Sequence, residues 1–561
     1  MILPDDQLKI LLLKAGVVDE TKLAELVTFT KNSRISLQDA VIEKDVITDD
    51  KLGLLIANSL KVPFVVISKM TIPDDVFRII PERLARKYKV VSFARDADGI
   101  KLGMADPTNT QIQEMVKKKT GVLKTTTYLA TERDIDNTFQ IYQKNLQEVF
   151  DDLLKEEGGN VASGAEDVPI AKIVDLLITY AYRDKASDIH IEPEEKDSLV
   201  RFRIDGMLHD VLYVDRKYHD RIVTRIKVLS RLRTDEHLSA QDGKMRMDVD
   251  DDALDLRVSI LPIAEGEKVV LRLLSSHFRQ FSLLDLGMNE KDLKKINDAI
   301  NKSYGMILST GPTGSGKTTS IYAILKILNT REKNITTIED PVEYRIKGVN
   351  QIQVNVKTSL TFATGLRSIL RQDPNVIFVG EIRDAETAGI AVNAALTGHL
   401  VVSTLHTNDA ATALPRLMDM KVEPFLVAST VNVIVAQRLV RKICDNCRLT
   451  TTIKRAELLK NIPEDILAKA FAQAKDIQVY QGKGCKLCHF TGYTGRIGVF
   501  EVLQVTEKIR KLIAEKNDSD IILRAALDEG MTTMLDDGLT KVAKALTTIE
   551  EVLRVTKVET S

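Results

Sequence analysis

The chain has 561 residues, of which 44% are hydrophobic and 28% charged, and its formal net charge at pH 7 is −1. The length predicts three or four domains, and the balanced charge excludes a whole-chain field that would attract nucleic acid or an anionic membrane. The sequence contains neither an uncharged apolar stretch of about 18 residues nor a signal-peptide pattern, which predicts a cytosolic chain without a membrane span.

Residues 1–60 contain a weak internal repeat. The segment LLLKAGVVDETKLAELV is echoed 29 residues later by AVIEKDVITDDKLGLLI. Each copy predicts a short helix, a turn and a second amphipathic helix. We therefore expect an N-terminal helical repeat region over residues 1–60.

Residues 61–150 alternate between strand-like and helical segments. The strand-like segments VPFVVIS, KYKVVSF and GIKLGMA predict an α+β domain. The segment EEGGNVASGAED that follows is rich in Gly, Ala, Ser and acids, which is typical of a flexible linker. We place this linker at residues 151–167.

The remainder of the chain predicts an α/β architecture. Residues 168–288 form a second N-terminal domain, in which LVRFRID, LDLRVSI and KVVLRLL alternate like half-buried strands. In residues 289–439, strands such as GMILST, NITTIED, VIFVG and HLVVSTL alternate with helices, which predicts a largely parallel sheet covered by helices. A cysteine-bearing segment at 440–500 and C-terminal helices at 501–561 complete a multidomain α/β protein.

The segment GPTGSGKT fits the phosphate-binding P-loop pattern G-x-x-x-x-G-K-[ST], between a predicted strand and a predicted helix. This context favours a P-loop over a chance Gly-rich turn. Its backbone amides and the helix N-terminus are suited to phosphate, its lysine to the β- and γ-phosphates, and its threonine to Mg²⁺. The predicted nucleotide-binding residues here are Gly311, Pro312, Thr313, Gly314, Ser315, Gly316, Lys317, Thr318 and Thr319.

Two acidic segments follow at the predicted carboxyl edge of the sheet. The strand in VIFVGEIRD ends at Gly380, where many P-loop ATPases carry a magnesium-binding aspartate, and the acid comes one residue later, at Glu381. Because Mg²⁺ keeps several waters, Thr318 and the phosphates suffice as direct ligands. We expect Glu339 and Glu343 of NITTIEDPVEY to orient metal-bound water, and Glu381 to orient or deprotonate the attacking water.

Histidines and arginines supply further candidates. His406, in STLHTND, is interpreted either as a packed or surface residue or as a sensor of the γ-phosphate. His399, at the start of that strand, is less favoured as a γ-phosphate sensor. Arg367 and Arg371 lie four residues apart, on one predicted helical face. They form either a solvated face or a sink for phosphate charge.

All four cysteines fall into two C-x-x-C pairs, Cys444 with Cys447 and Cys485 with Cys488. Two such turns predict a closed tetrahedral zinc site, although the gap between them is longer than in common zinc ribbons. A redox dithiol is the alternative, and a second pair argues against it. A site with four protein ligands has no open position, so we expect a structural metal.

In this order, several motifs resemble those of the secretion ATPases that power type IV pilus assembly and type II secretion. They are SDIHIEP, RFRIDG, GPTGSGKTT, TIEDPVEY, VGEIRD, STLHTN and the paired C-x-x-C, and the resemblance runs from about residue 70 to 560. It implies a hexameric ring with a PAS-like second N-terminal domain (168–288) joined to a RecA-like ATPase domain, and ATP between the two. By the same resemblance, Arg201 and Arg216 reach the phosphates across that cleft. Glu381 resembles the catalytic glutamate, while Arg367, Arg371 and Arg496 resemble further arginines of the site or its lining.

The resemblance implies an ATP-hydrolysing motor that acts on an inner-membrane platform protein and the pilus or pseudopilus machinery, with ATP, Mg²⁺ and Zn²⁺. We expect it at the inner face of the cytoplasmic membrane, with a weak preference for pilus assembly over type II secretion. A RecA-like nucleic-acid motor and a nucleotide-gated scaffold are the alternatives. The absence of Trp and the near-neutral charge argue against the nucleic-acid motor.

The N-terminal repeat resembles a module that binds cyclic di-GMP in some relatives. Gln7-Leu8-Lys9 stands where Arg-Leu-Gly is expected. This departure favours a domain that docks a partner.

Overall fold

A computed structural model describes residues 3–556 except 34, 45, 71, 97–98, 121–123, 143–145, 159–169, 251 and 275–281. Its residues form two compact units. One combines 1–135 with 281–561, and the other comprises 136–280. Grouping the N-terminal 135 residues with the C-terminal half of the chain was not predicted. In the described part of the chain, no helix is long and apolar enough to cross a membrane.

Residues 5–60 form four helices, in agreement with the predicted helical character of this region. Their apolar faces form a small core that includes Leu8, Leu12, Leu52 and Ile56. The helices are α1 (Asp5–Lys14), α2 (Glu20–Ser33), α3 (Leu37–Glu43) and α4 (Asp49–Leu60).

Residues 61–135 contain a three-stranded sheet of order β1-β2-β3, in which β2 pairs antiparallel with β1 and parallel with β3. The elements are α5 (Asp74–Phe77), α6 (Glu82–Tyr88), β1 (Val90–Asp96), β2 (Gly99–Met104), α7 (Thr110–Thr120), β3 (Thr125–Leu129) and α8 (Glu132–Thr138). The predicted strand VPFVVIS was wrong, because only Phe64 forms a bridge. The carboxylate of Asp134 accepts the amides of Ile67 and Ser68, which turns the chain into a 3₁₀ helix at Ile67–Lys69.

The second unit is built on a six-stranded antiparallel sheet of order β6-β5-β4-β9-β8-β7. Its elements are α9 (Leu146–Gly158), α10 (Ile170–Arg183), β4 (Asp188–Pro193), β5 (Asp197–Ile204), β6 (Met207–Asp215), α11 (His219–Leu229), β7 (Gln241–Val249), β8 (Asp252–Ile263) and β9 (Gly266–Leu274). The start of the predicted linker, residues 151–158, is helical and belongs to α9. The rest of that linker falls at 159–167, outside the described residues.

The predicted ATPase core alternates strands and helices as its pattern indicates. Its elements are α12 (Glu290–Ile300), β10 (Gly305–Thr310), α13 (Lys317–Leu328), β11 (Ile335–Glu339), β12 (Asn350–Gln353), α14 (Phe362–Ile369), β13 (Val376–Val379), α15 (Ala385–Leu396), β14 (Leu400–Leu405), α16 (Ala413–Asp419), α17 (Pro424–Thr430) and β15 (Val431–Ile443). Strands β10, β11, β13 and β14 are buried along their whole length, as expected for a sheet covered on both faces.

The cysteine-bearing segment is inserted between two strands of this core sheet. The remaining elements are β16 (Arg448–Lys454), α18 (Arg455–Leu458), α19 (Glu464–Phe471), β17 (Asp476–Gly482), β18 (Tyr493–Gln504), α20 (Glu507–Ala514), α21 (Ser519–Asp528), α22 (Met534–Ala543) and α23 (Ile549–Thr556). The core sheet has the order β12-β11-β13-β14-β10-β15-β18, and only β18 pairs antiparallel. The carboxyl ends of its parallel strands share one edge, where open α/β sheets bind ligands.

Candidate functional site

The P-loop connects β10 to α13 at this carboxyl edge. Gly311 has a φ of 141°, and a Cβ atom there would lie 2.5 Å from the carbonyl oxygen of Gln437. Only glycine therefore fits this close approach to β15. The loop delivers the chain to Gly316, the N-cap of α13, so the amides of the first helical turn point toward the loop.

Lys317 is the first residue of α13, and its side chain folds back over the loop. Its Nζ donates hydrogen bonds to the carbonyl oxygens of Gly311 (2.7 Å) and Pro312 (3.0 Å). Burial lowers the pKa of Lys317, and the Glu381 carboxylate opposes that shift. The Glu381 carboxylate therefore favours the charged form of the Lys317 ammonium group.

Glu339, at the carboxyl end of β11, is buried and held by three side-chain donors. The hydroxyl of Tyr322, the hydroxyl of Thr337 (2.5 Å) and Nε2 of Gln351 (3.2 Å) donate to its carboxylate. Burial raises the pKa of Glu339, and these donors oppose the shift. A carboxylate offers about four acceptor positions, so three donors fix the group without using all of its acceptor capacity.

Glu343 lies close to the same tyrosine. The amide of Glu343 donates to the Tyr322 hydroxyl over 3.3 Å. Tyr322 of α13, the helix that begins at the P-loop, therefore contacts the carboxylate of Glu339 and the backbone of Glu343.

Glu381 follows the end of β13 and contacts two cationic or polar neighbours. Its Oε2 accepts from Nε of Arg383 (2.5 Å) and lies 3.2 Å from Nε2 of His406. The two segments approach because the amide of Ile382, beyond the end of β13, donates to the carbonyl oxygen of Thr404 in β14. The structure thus brings the predicted water-handling acid and the predicted γ-phosphate sensor into one pair.

Gly380 explains why no acid stands at the strand end. A Cβ atom at this position would lie 3.2 Å from the carbonyl oxygen of Ile338 and 3.3 Å from Cα of Glu339. An aspartate would crowd the neighbouring strand β11.

Other predicted residues lie away from this pair. His399 is at the opposite end of β14, where its Nδ1 contacts the carbonyl of Ala394 in α15. Arg367, on the exposed surface of α14, pairs with Glu386 over 2.5 Å. Arg371 is also exposed but lies two residues beyond the end of that helix, where it donates to the carbonyl oxygen of Arg367. These contacts match the solvated-face alternative in this conformation.

Arg496 is exposed on β18, and its register partner across the sheet is Arg441 of β15. Arg441 lies four residues beyond Gln437, the residue that touches the P-loop. Arg496 is therefore placed toward the cysteine-bearing end of β15.

Arg201 and Arg216 belong to the second unit. Arg201 forms an ion pair with Glu192 of β4. Arg216 donates to the carbonyl oxygen of Glu265 (2.6 Å) and lies 3.4 Å from Asp220. Both guanidinium groups are partly exposed and face partners within their own unit.

Residues of β15 that sequence reasoning missed lie under the P-loop. The buried side chain of Gln437 accepts a hydrogen bond from Ser320 of α13 (2.7 Å). The next residue, Arg438, donates to Asn408 in the histidine segment (3.1 Å). The signal was the polar pair Gln-Arg after the apolar residues VIVA of this strand, but its partners are distant in sequence.

The four cysteine sulfurs all lie within 4.8 Å of one another. The pairs Cys444–Cys485 and Cys447–Cys488 are both 3.8 Å apart, and Cys485–Cys488 is 3.7 Å. Four sulfurs about 2.3 Å from a tetrahedral zinc ion are about 3.8 Å apart, whereas disulfide sulfurs are about 2.05 Å apart.

Backbone amides also approach these sulfurs. The amide of Gly484 donates to Cys447 (3.3 Å), and the amide of Gly492 donates to Cys488 (3.3 Å). Such donors stabilise thiolates, so the residues present fit a closed Cys₄ zinc site.

Comparison with known proteins gives two family matches. The type II/IV secretion system protein family matches residues 163–554, and the MshEN domain family matches residues 60–148. The second match covers the predicted α+β domain and begins where the predicted helical repeat ends.

Individual relatives agree with these matches. The type IV pilus assembly ATPase PilB of Myxococcus xanthus is 36% identical over 97% of this chain and 97% of that protein. The type II secretion system protein E of Pectobacterium carotovorum is 46% identical over 70% of this chain and 77% of that protein. The ATPase DotB of Legionella pneumophila, at 20% identity, superposes with a TM-score of 0.51 over 68% of this chain and 95% of that one, which confirms the predicted fold class.

Proposed function

Because the chain belongs to the type II/IV secretion system protein family, we propose that it is the hexameric ATPase motor that powers type IV pilus assembly. The chain is an ATPase, and its family implies a nucleotide substrate and Mg²⁺. The proposal adds a ring of six copies that acts through an inner-membrane platform protein. It places this ring at the inner face of the cytoplasmic membrane.

We choose pilus assembly because of the fraction of this chain that aligns with each class of relative. The pilus assembly ATPases of Myxococcus xanthus and Pseudomonas aeruginosa align with 97% of this chain, at 36% and 37% identity. The type II secretion relative aligns with 70% of it, although at higher identity. The N-terminal region is therefore shared with the pilus assembly ATPases, and type II secretion is the alternative function.

The geometry of the P-loop supports the binding of ATP phosphates. The amides at the start of α13 and the ammonium group of Lys317 supply positive charge, and Thr318, in the first helical turn, would hold Mg²⁺. Glu339 and Glu343 would orient water around a bound Mg²⁺. When bound, Mg²⁺ neutralises charge on the phosphates.

Glu381 is the residue we assign to the attacking water. Its carboxylate lies beyond the strand end and is only 13% exposed, and Arg383 and His406 hold Oε2. Held in this way, the group can accept a proton from a water placed over the P-loop. His406 contacts the same carboxylate and is suited to sense the γ-phosphate.

The arginines of the second unit complete the proposed site. Arg201 and Arg216 would leave their partners in that unit and contact the phosphates when ATP binds between domains, with Arg367, Arg371 and Arg496 in supporting positions. Such arginines stabilise charge in the transition state of phosphoryl transfer. The Cys₄ zinc site has a structural role, because it closes the insertion between β15 and β18.

A genetic complementation experiment tests the proposal. A strain that lacks this gene is supplied with the wild-type gene or with Lys317→Ala, and surface pili and secreted proteins are both measured. We expect pili to return only with the wild-type gene, because Lys317→Ala abolishes nucleotide binding. Restoration of protein secretion without any effect on pili would transfer the assignment to type II secretion.

A further inference from the structure

The P-loop helix is held at both ends, and its C-terminal end contacts the N-terminal helical region. Lys44, the C-cap residue of α3, donates from Nζ to the carbonyl oxygens of Lys326 (2.7 Å) and Ile327 (3.1 Å) in the last turn of α13. The two hydrogen bonds connect Lys44 to residues that lie 282 and 283 positions further along the chain.

These two carbonyl groups need partners from outside the helix. The last four carbonyls of an α-helix have no amide four residues further on within the helix, and α13 ends at Leu328. The negative end of the helix dipole also attracts a cation. Lys44 therefore supplies both a hydrogen-bond donor and a complementary charge.

Neighbouring contacts fix the position of the Lys44 side chain. Its Nζ lies 4.2 Å from the centroid of the Phe29 ring in α2, a cation–π distance. A second junction joins the N-terminal residues to the same unit, because Arg133 forms an ion pair with Asp285 (3.3 Å). The docking of the N-terminal region on the ATPase core thus does not depend on Lys44 alone.

We propose that Lys44 is a positioning residue for ATP binding, which couples docking of the N-terminal helices to the phosphate-binding end of α13. The helix has 12 residues and is about 18 Å long, so Lys44 acts on the nucleotide through the helix and not by contact. Stabilising its last turn keeps the helix formed and its N-terminal amides aligned.

The coupling must act in both directions. If docking of Lys44 raises the affinity for nucleotide, bound nucleotide strengthens docking of the N-terminal helices by the same factor. A lysine at a helix C-terminus contributes a stabilisation equivalent to a factor of about two to five in an equilibrium constant. The inference rests on the proposed function, because it takes the P-loop to bind ATP.

The test uses the full-length protein and a non-hydrolysable ATP analogue. Analogue affinity is measured for wild type, Lys44→Met, Lys44→Arg and Lys22→Met. Lys22 is the matched control, because it lies at the exposed surface of α2 and its ammonium group pairs with its helical neighbour Glu25. Hydrogen exchange of the α2 and α3 amides is measured with and without the analogue.

We expect Lys44→Met to weaken analogue binding about two- to fivefold, and Lys44→Arg and Lys22→Met to bind like wild type. The analogue should slow exchange in α2 and α3 of wild type and have no such effect in Lys44→Met. Equal affinity in wild type and Lys44→Met, or unchanged exchange in wild type, would overturn this inference alone. Failure of wild type to bind the analogue would overturn the proposed function and this inference with it.

Discussion

At the end of β13 the sequence has Gly380, and the acidic residue Glu381 comes one position later. At Gly380 the backbone of β11 is too close for a side chain to enter without displacement, since a Cβ atom would lie 3.2 Å from the Ile338 carbonyl oxygen. The acid is therefore displaced by one residue, where its carboxylate reaches His406. Glu339, the buried last residue of β11, supplies a second carboxylate. We propose that Glu339 orients metal-bound water and that Glu381 handles the attacking water.

We predict that Glu339→Gln raises the Mg²⁺ concentration needed for half-maximal ATPase activity by about 10- to 100-fold, the usual effect of losing an outer-shell partner. The amide also places a donor among the three donors that now surround the carboxylate. Tyr322→Phe is the matched control, because it keeps the charge of Glu339 and removes one donor. Its Mg²⁺ requirement should stay near that of wild type. An unchanged requirement in Glu339→Gln would exclude this role.

Contiguous motifs made the core of the site predictable from the sequence. The P-loop, the two acidic segments and His406 each lie directly after a buried strand, and parallel strands bring their carboxyl ends together. Tyr322 and Gln437 were not predicted, because their partners Glu339 and Ser320 are 17 and 117 residues away in the chain. Only packing of α13 on the sheet reveals those contacts.

At the scale of elements, the cysteine-bearing insertion depends on two short turns. The turn Cys444–Cys447 follows β15 directly, and the turn Cys485–Cys488 precedes β18, so the cysteine cluster joins the ends of two paired core strands. Sequence spacing predicted the site, but the position of the insertion within the core sheet required the strand pairing. The wrong strand at VPFVVIS had a similar cause, since the distant carboxylate of Asp134 accepts the amides of its last two residues, Ile67 and Ser68.

We predict that Cys485→Ser reduces bound zinc well below about one ion per chain and loosens the insertion, because structural zinc contributes folding free energy directly. Metal analysis and hydrogen exchange over residues 444–492 measure the two effects. Lys483→Ser, an exposed position in the same loop, is the control and should retain zinc. Wild-type protein without zinc would refute the metal assignment.

The C-terminal helix α23 is attached to β15 through one buried carboxylate. Glu551 accepts from the backbone amide of Arg441 (2.9 Å), from its Nη2 (2.8 Å) and from Nη2 of Arg554 (2.7 Å). Burial favours the neutral acid, but these donors outweigh it and hold the pKa of Glu551 at about 2, below the ordinary 4.5. The stabilisation is therefore complete above pH 4.5 and is lost as the pH falls toward 2.

We predict that Glu551→Gln lowers the free energy of unfolding by roughly 3 kcal/mol at pH 7, because it leaves the two arginines without their partner. Between pH 4.5 and 2, the wild type should lose this advantage and approach the variant. Urea denaturation followed by circular dichroism at several pH values measures both. A constant difference between the two proteins down to pH 2 would contradict the role given to the Glu551 carboxylate.

At the scale of the whole molecule, the grouping of residues 1–135 with the ATPase core changes how the second unit should be tested. Truncation to residues 289–561 would remove the arginines of the second unit and also Lys44 and its contact with α13. Domain grouping was not predictable from the sequence, because composition marks linkers but not which domains pack together. Single substitutions in the full chain therefore isolate the arginines better.

We predict that Arg201→Gln and Arg216→Gln each lower ATP turnover by about 10³-fold or more and leave ATP affinity nearly unchanged, the behaviour of arginines that act in the transition state. Steady-state kinetics and analogue binding on the full chain separate the two effects. Lys217→Gln, next to Arg216 and exposed, is the control for a lost positive charge. Normal turnover in both arginine variants would remove the second unit from the catalytic site.

Single-turnover hydrolysis by the full-length protein with Glu381→Gln tests the central claim most directly. Lys317 and the loop amides remain, so ATP and Mg²⁺ should bind with wild-type affinity, and the variant should retain intact ATP. Hydrolysis should fall by about 10²- to 10⁴-fold, the usual contribution of a positioned proton acceptor. Hydrolysis at the wild-type rate would contradict the account and move the general base to the acidic segment around Glu339.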